Sequence, residues 1–396
     1  MLAIVFLVFA GALGIMDAKT EIFGIEAIYW CMALMGLAYL RFVYKNRKNL
    51  GNIVKDSTVK WLIAFEICGA VMVAVSMLGF NTVLAGSDLL MIKSYVPRQA
   101  IYLYFMPAVV VLAEPEYKKI ITSFMDKFQL PLFAVIYIVN IVKHKFALSI
   151  IPLFVLVILS LYKPTKYKVL DWLMFAIIVL TPVASGGELT NLALRALYVP
   201  YFVFAKNKKA VTVLIGLGAA CCVAMVFVLP FFAEYITPHL DANSAWRLNF
   251  WNDELMQLVQ SKGIGVGFGT SYATYNFVGN QPSILRSPYD PVYRQATVEY
   301  LMMTTGPHNS LVSLAFRMGI AGIVTFVGFL VNIFTKAWKN IEETSAYAFF
   351  AFFAAIVIIS VNVGLESPVY LLSFVLGIAV NDLTNDLKVK TKTTIQ

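Results

Sequence analysis

Long runs of apolar residues recur along this chain from its first residues to its last fifteen, and they restrict it to very few folds. A helix needs about 20 such residues to cross the roughly 30 Å of bilayer hydrocarbon. Inside that hydrocarbon no water is available for backbone N–H and C=O groups, so a spanning segment satisfies them within itself as a helix. Twelve such runs lie near residues 2–16, 23–43, 61–80, 99–114, 130–142, 146–162, 170–184, 188–205, 210–229, 307–334, 346–362 and 367–384. Composition agrees: 60% of the 396 residues are hydrophobic and 13% charged, about half the charge of a soluble globular chain. The chain reads as all-α, a polytopic membrane helix bundle of about 12 transmembrane helices with one large external loop. The first run lacks a basic start, and Asp17-Ala18-Lys19 is a poor cleavage context. It is therefore read as a first span and not as a signal peptide.

The formal charge of +9 invites a nucleic-acid reading, but its placement is a topology signal. Twenty of the 31 lysines and arginines collect in alternate gaps, from Arg41, Lys45 and Lys55 through Lys118 and Lys166 to Lys336 and Lys390. Nine fall on the opposite side, and Arg195 and Arg317 lie within spans. Basic residues stay on the cytoplasmic side. The expectation is a bacterial inner-membrane protein with both termini in the cytoplasm and segment 230–306 outside, with no nucleic-acid partner.

Domain organisation follows: one integral-membrane domain over 1–396, the external loop 230–306 within it, and a cytoplasmic tail over 382–396. No 20–50-residue repeat is visible, which excludes solenoids, and the halves lack the matched broken helices of inverted-repeat transporters. A loop of roughly 77 residues, far above the usual ~15, is a functional segment; its Trp, Tyr, Phe and Pro content argues against disorder. Within it, Ser244 to Lys262 has apolar residues mostly three and four apart, from Trp246 and Phe250 to Leu258 and Val259, which predicts an amphipathic helix capped by Asn243 or Ser244. Such a helix either lies on the outer leaflet or packs on the bundle top. The following run, Gly263 to Gly269, has alternating glycines but no preceding strand, so it does not read as a nucleotide loop. Its glycines end the helix and let backbone approach a neighbouring helix or a phosphate. All four cysteines, Cys31, Cys68, Cys221 and Cys222, fall in spans and read as small buried apolar residues, with no disulfide framework or cysteine zinc site.

The residue that carries most chemical weight is His308, in Gly306-Pro307-His308-Asn309-Ser310, where the external loop enters an apolar helix. An imidazole titrates near neutral pH and suits a general base; the alternative is a helix-capping histidine. His239 and His144 read as surface residues. Arg195 interrupts an apolar run about seven residues below its outer end, roughly 10 Å deep. A guanidinium there requires a polar partner, either a pyrophosphate held by its bidentate fork or a structural ion pair. Arg317, nine residues after His308, lies about 180° round the helix from it and reads as a structural pair or a snorkelling side chain. In the loop, Arg247, Arg286 and Arg294 are candidates for gripping an anionic substrate, with Asp290 and Glu299 available to orient a base. Glu366 stands in the outer turn Val363 to Pro368, either a solvated turn residue or a helper of the site. Glu26 and Glu66 are the intramembrane acids on which a transporter would draw.

His308-Asn309 followed by Leu311, Leu314, Gly319 and Gly322 resembles the signature of the O-antigen ligase and polysaccharide-polymerase (Wzy-type) superfamily, a His-Asn or His-Ser pair opening a helix that reaches a Gly-x-x-Gly step. Arg247-Leu248-Asn249-Phe250-Trp251 and the Gly263–Gly269 run resemble the same superfamily's Arg-x-x-x-Trp and Gly-x-Gly stretch. Leu194-Arg195-Ala196-Leu197 is similar in place to its Ser-Arg helix, without the Ser. Arg317 stands where relatives commonly carry Glu. The motifs span roughly 188–334.

The resemblance implies a GT-C-like membrane glycosyltransferase that needs no metal or cofactor and uses undecaprenyl-pyrophosphate-linked oligosaccharide. It implies His308 as catalytic base, with Arg195, Arg247, Asn309, Arg294 and Glu366 as substrate-binding residues. The departures at the Ser-Arg helix and at Arg317 favour the polymerase branch, making O-antigen, capsule or exopolysaccharide, with a chain-length regulator as a possible partner. The alternatives are an O-antigen ligase acting on a lipid A core acceptor, a transporter or flippase of lipid-linked glycan, and a non-catalytic scaffold.

Overall fold

A computed structural model describes residues 21–48, 50–80, 95–96, 99–100, 103, 115–162, 164–183, 188–204, 207–240, 242–271, 309–339 and 341. After a small antiparallel hairpin, β1 (Glu21–Ile22) and β2 (Ile25–Glu26), the described chain is helical. Its long helices are α1 (Ala27–Asn46), α2 (Ser57–Met77), α3 (Pro115–Lys143), α4 (Ile150–Tyr162), α5 (Lys168–Leu180), α6 (Glu188–Val203), α7 (Lys208–Val228), α8 (Ala242–Gln260) and α9 (Ser310–Trp338). The molecule is an all-α membrane protein. Among the described residues three helices combine the length and hydropathy to cross a bilayer, Ser57–Met77, Lys208–His239 and Ser310–Lys336. The other described runs form shorter or more polar helices. Expected spans at 2–16, 346–362 and 367–384, and nearly all of 99–114, lie outside the described residues.

Two boundaries differ from expectation for physical reasons. The run at 130–142 is the second half of a 29-residue helix, α3, that continues through Pro131. Its first half carries Lys118, Lys119, Asp126 and Lys127 and is helical without being apolar. The run at 146–162 yields helix only from Ile150. Before it, Lys145 and Phe146 take positive φ and Leu148 pairs with Val183.

Apolar side chains explain the packing. In α4, Leu153 through Leu159 are all buried, as expected for a helix apolar all round, and α3, α5 and α6 pack against it. The same continuous core takes in Leu194 and Tyr198 of α6, Leu62 and Phe65 of α2, and Leu311, Leu314, Phe326 and Phe329 of α9. Cys221 departs from the buried-cysteine reading: it lies on the exposed side of α7, where the flank of a spanning helix meets lipid.

The antiparallel pair α2 and α9 frames the site. Gly328 of α9 has no side chain to hold off Trp61 of α2: a Cβ there would sit 2.6 Å from the indole. Phe65 and Phe326 follow at 5.7 Å between ring centroids. At the pair's far end Asp56 caps α2, accepting from Thr58 N and Val59 N, and also binds Lys336 Nζ at 2.9 Å. Thr58 Oγ1 donates to Asn332 Oδ1 at 2.8 Å and accepts from Lys336 Nζ at 2.7 Å. The near end of the pair carries the candidate site.

Candidate active site at the head of helix α9

Asn309 caps α9. Its backbone carbonyl accepts from Ser313 N, and its side-chain Oδ1 accepts from Leu311 N at 3.1 Å and Val312 N at 3.2 Å. These amides have no partner inside the helix, and Asn is among the residues best suited to hold them. The capping role considered for His308 is thus filled by Asn309. The Asn309 side chain is completely buried, as are Ser310 and Ser313, and its Nδ2 has no hydrogen-bond partner among the described residues. A buried amide N–H without an acceptor is costly; here it is a donor left over beside the candidate base. His308, Arg294 and Glu366 lie outside the described residues.

Against this helix head packs α8, formed where the sequence predicts an amphipathic helix. Leu255 of α8, Val226 of α7 and Val312 of α9 make a small core with Trp251, Leu258 and Phe227 around it. The helix therefore packs on the bundle top, with Met256 and Val259 on its exposed side. It begins at Ala242, earlier than expected, so Asn243 and Ser244 lie inside it and do not cap it. Arg247 is half-buried on α8. Seven residues on, and so on the same face, Glu254 is completely buried. Glu254 does not stand out in the sequence; the signal that marks it is an acid one turn from Phe250 and from Leu258, in the middle of the apolar stripe.

Helix α8 closes one residue ahead of its glycines, at a lysine in the left-handed region. Lys262 takes φ 55 and Gly263 φ 79, while Gly263 N donates to Leu258 O and Lys262 N to Val259 O, the crossed pair of bonds of a Schellman turn. The next residues approach a neighbouring helix, one of the two partners considered. They thread into a break in α9, where Gly319 has φ 69 and ψ −166. Val266 N donates to Phe316 O at 2.8 Å, Gly267 N to Arg317 O at 3.1 Å, and Ile320 N to Gly263 O at 2.9 Å. Groups released by the broken helix are thus taken up by the loop. A Cβ on Gly265 would meet Gly319 N at 2.6 Å and Arg317 O at 2.9 Å, so only glycine permits this approach.

Arg317 completes the junction. Completely buried, it donates from Nη1 to Gly267 O at 3.1 Å and to Thr270 Oγ1, and from Nη2 to Thr270 O at 2.9 Å. The structural role expected from sequence is seen here in bonds to loop carbonyls and a hydroxyl, and the buried side chain does not snorkel. Two further residues that the sequence did not single out grip the loop: Ser76 Oγ accepts from Phe268 N at 2.8 Å, and Gln99 accepts from Gly269 N and donates to Thr270 O.

Arg195 lies on α6, away from this junction. Its Nη1 donates to Val179 O at 3.1 Å and its Nη2 to Thr181 O at 2.6 Å, the carbonyl end of α5, where a cation is favoured. Its polar partner is therefore a helix terminus and not the structural ion pair considered from sequence. Its Nε has no hydrogen-bond partner among the described residues. The structure thus puts Arg247 and Asn309 on two elements packed against each other, α8 and the head of α9, while Arg195 sits on α6, whose packing partners are α4, α5 and α7. His239 is exposed, as expected.

This stretch of chain, from α5 to the middle of α9, is also where comparison with known proteins succeeds. Residues 173–327 match the O-antigen ligase family model. The match supports a place in the O-antigen ligase and polymerase superfamily. It includes Arg195, Arg247, the glycine loop and the capped head of α9. Comparison with curated proteins gives no match.

Proposed function

We propose that this chain is a membrane glycosyltransferase that polymerises undecaprenyl-pyrophosphate-linked oligosaccharide repeat units into a surface polysaccharide at the outer face of the bacterial inner membrane. The observation that carries the reading is Asn309. Its side-chain oxygen builds the helix head, while its amide nitrogen stays buried without an acceptor among the described residues, one residue from His308, which lies within the ligase-family match.

In the proposed reaction His308 takes the proton from an acceptor sugar hydroxyl, and that oxygen forms the new bond to the donor's anomeric carbon. The bond from that carbon to the lipid pyrophosphate breaks, with inversion, and the pyrophosphate leaves on its lipid. Arg195, Arg247 and Arg294 balance the charge developing on the leaving group, worth most where donors are preorganised away from water. Asn309 Nδ2 donates to the substrate, and Glu366 assists. No step calls for a metal. The lysine distribution puts the Asp56–Lys336 end of the α2–α9 pair in the cytoplasm and the Asn309 end outside, where lipid-linked sugar is the donor at hand. Arg317 supports the polymerase branch: this chain uses the position that relatives commonly fill with Glu to hold a loop. The name of the matching family favours a second reading, transfer of the lipid-linked glycan to a lipid A core acceptor.

The test is purified protein mixed with lipid-pyrophosphate-linked repeat units alone, products being resolved by length. A ladder that disappears in His308→Ala is expected. Unchanged repeat units overturn self-polymerisation; product formed only after lipid A core is added establishes the ligase reading, and neither product directs attention to transport.

A further inference from the structure

The break at Gly319 divides α9 into a membrane helix and a nine-residue head, Ser310 to Met318. The head's last carbonyls bond to the loop, Phe316 O to Val266 N and Arg317 O to Gly267 N, and just past the break Ile320 N also turns to the loop, donating to Gly263 O. What fixes the head relative to the rest of the protein is therefore the loop as much as the helix axis. The loop itself is fixed from three sides: Ser76 of α2, Gln99 and Arg317. Arg317 differs from the other two in standing on the head it would hold. Its side chain and its own carbonyl both reach Gly267, the carbonyl through Gly267 N and the guanidinium through Gly267 O, and its second nitrogen reaches Thr270. Five-donor guanidinium geometry spans such a fork; an ammonium meets part of it.

We infer that Arg317 is a positioning residue of this enzyme, locking the helix head that begins at Asn309 to the Gly267–Thr270 loop and so setting where His308 meets its substrate. The inference rests on the proposed function for the word enzyme, but the lock itself is a property of the described residues. A head loosened by even about 1 Å costs up to a hundredfold in rate when a reacting group moves with it. Substrate contacts made elsewhere, on α6 and α8, keep their geometry, so loss of the lock lowers kcat and leaves KM nearly as it was.

The experiment compares wild type, Arg317→Met, Arg317→Lys and Thr270→Val in detergent or lipid nanodiscs by two independent measurements. Hydrogen exchange is followed at the amides of 266–269 and 313–318, and turnover is followed with lipid-pyrophosphate-linked repeat units. Expected are faster exchange at both segments in Arg317→Met, with kcat down tenfold or more and KM within about threefold of wild type. Arg317→Lys recovers part of both, and Thr270→Val, which removes the hydroxyl that accepts from Arg317 and donates to Gly267 O, falls between Lys and wild type. Unchanged exchange in Arg317→Met overturns the lock. Faster exchange with full kcat, or a loss confined to KM, overturns the positioning role while leaving the lock standing. If exchange responds as expected but neither wild type nor any variant transfers sugar, the proposed function fails and the lock does not. Should Arg317→Met fail to fold, Arg317→Lys and Thr270→Val carry the same comparison.

Discussion

At the level of single residues, Asn309 performs two separable tasks, and substitution distinguishes them. Asn309→Ala removes the cap and should cost about 1 kcal/mol of stability, seen as a lower unfolding temperature in detergent. Asn309→Asp keeps both capping bonds and places a negative charge where a helix N-terminus favours it, but exchanges the free N–H donors for an acceptor. Both capping bonds should remain, with the unfolding temperature lowered only by the cost of burying the new charge, while turnover drops by about tenfold or more, the worth of one hydrogen bond to a charged group. Wild-type turnover in Asn309→Asp would remove Asn309 from the substrate site. The sequence made Asn309 legible because it adjoins a histidine at a helix entry. It left Glu254 hidden, because a single acid in a helix of mixed composition reads as a solvated charge until the packing of α8 is known.

Among elements, the broken helix is the feature that sequence reading could not reach. Gly319-x-x-Gly322 looks the same whether its glycines serve close helix packing or a break in the backbone, and the loop that fills the break lies 50 residues earlier. Helix positions were legible in the apolar runs. Their ends were less so where charged residues continue a helix, as in α3, or where a helix starts ahead of its apparent cap, as in α8. The break yields a sharp contrast in substitution. Gly319 combines positive φ with extended ψ, a region that other residues enter at about 1–3 kcal/mol, and a Cβ there would strike the backbone of Gly263 and Ile264. Gly319→Ala should therefore lower the unfolding temperature strongly. Gly216→Ala meets only the Phe334 ring at 3.9 Å and should leave stability level or raised, since Ala is the better helix former by roughly 0.5–1 kcal/mol. Equal effects in thermal unfolding would contradict the break as described.

For the whole molecule, the α2–α9 pair is fastened at one end by charge and at the other by backbone. Burial raises the Asp56 carboxyl, but the hydrogen bond and charge of Lys336 and the amides of Thr58 and Val59 outweigh it and hold it below the ordinary value. Asp56 thus gives up its proton more readily in the folded chain than in the unfolded one. Its contribution is complete above the ordinary carboxylate pKa of about 4 and is lost as pH falls through the lowered folded value. Unfolding in detergent followed from pH 7 to pH 3 should show wild type more stable than Asp56→Asn at neutral pH, the two curves closing together in acid. Parallel curves would mean that Lys336 adds nothing to the pair.

The glycine loop also has a history within each molecule. Its partners straddle it in order of synthesis: Ser76 precedes Phe268 by 192 residues, and Arg317 follows Gly267 by 50. At about 5–20 residues per second, the loop waits several seconds after leaving the ribosome before the segment it will occupy exists. During that wait its amides have water for company and nothing to enter. The loop therefore takes its final seat only when α9 arrives and opens at Gly319.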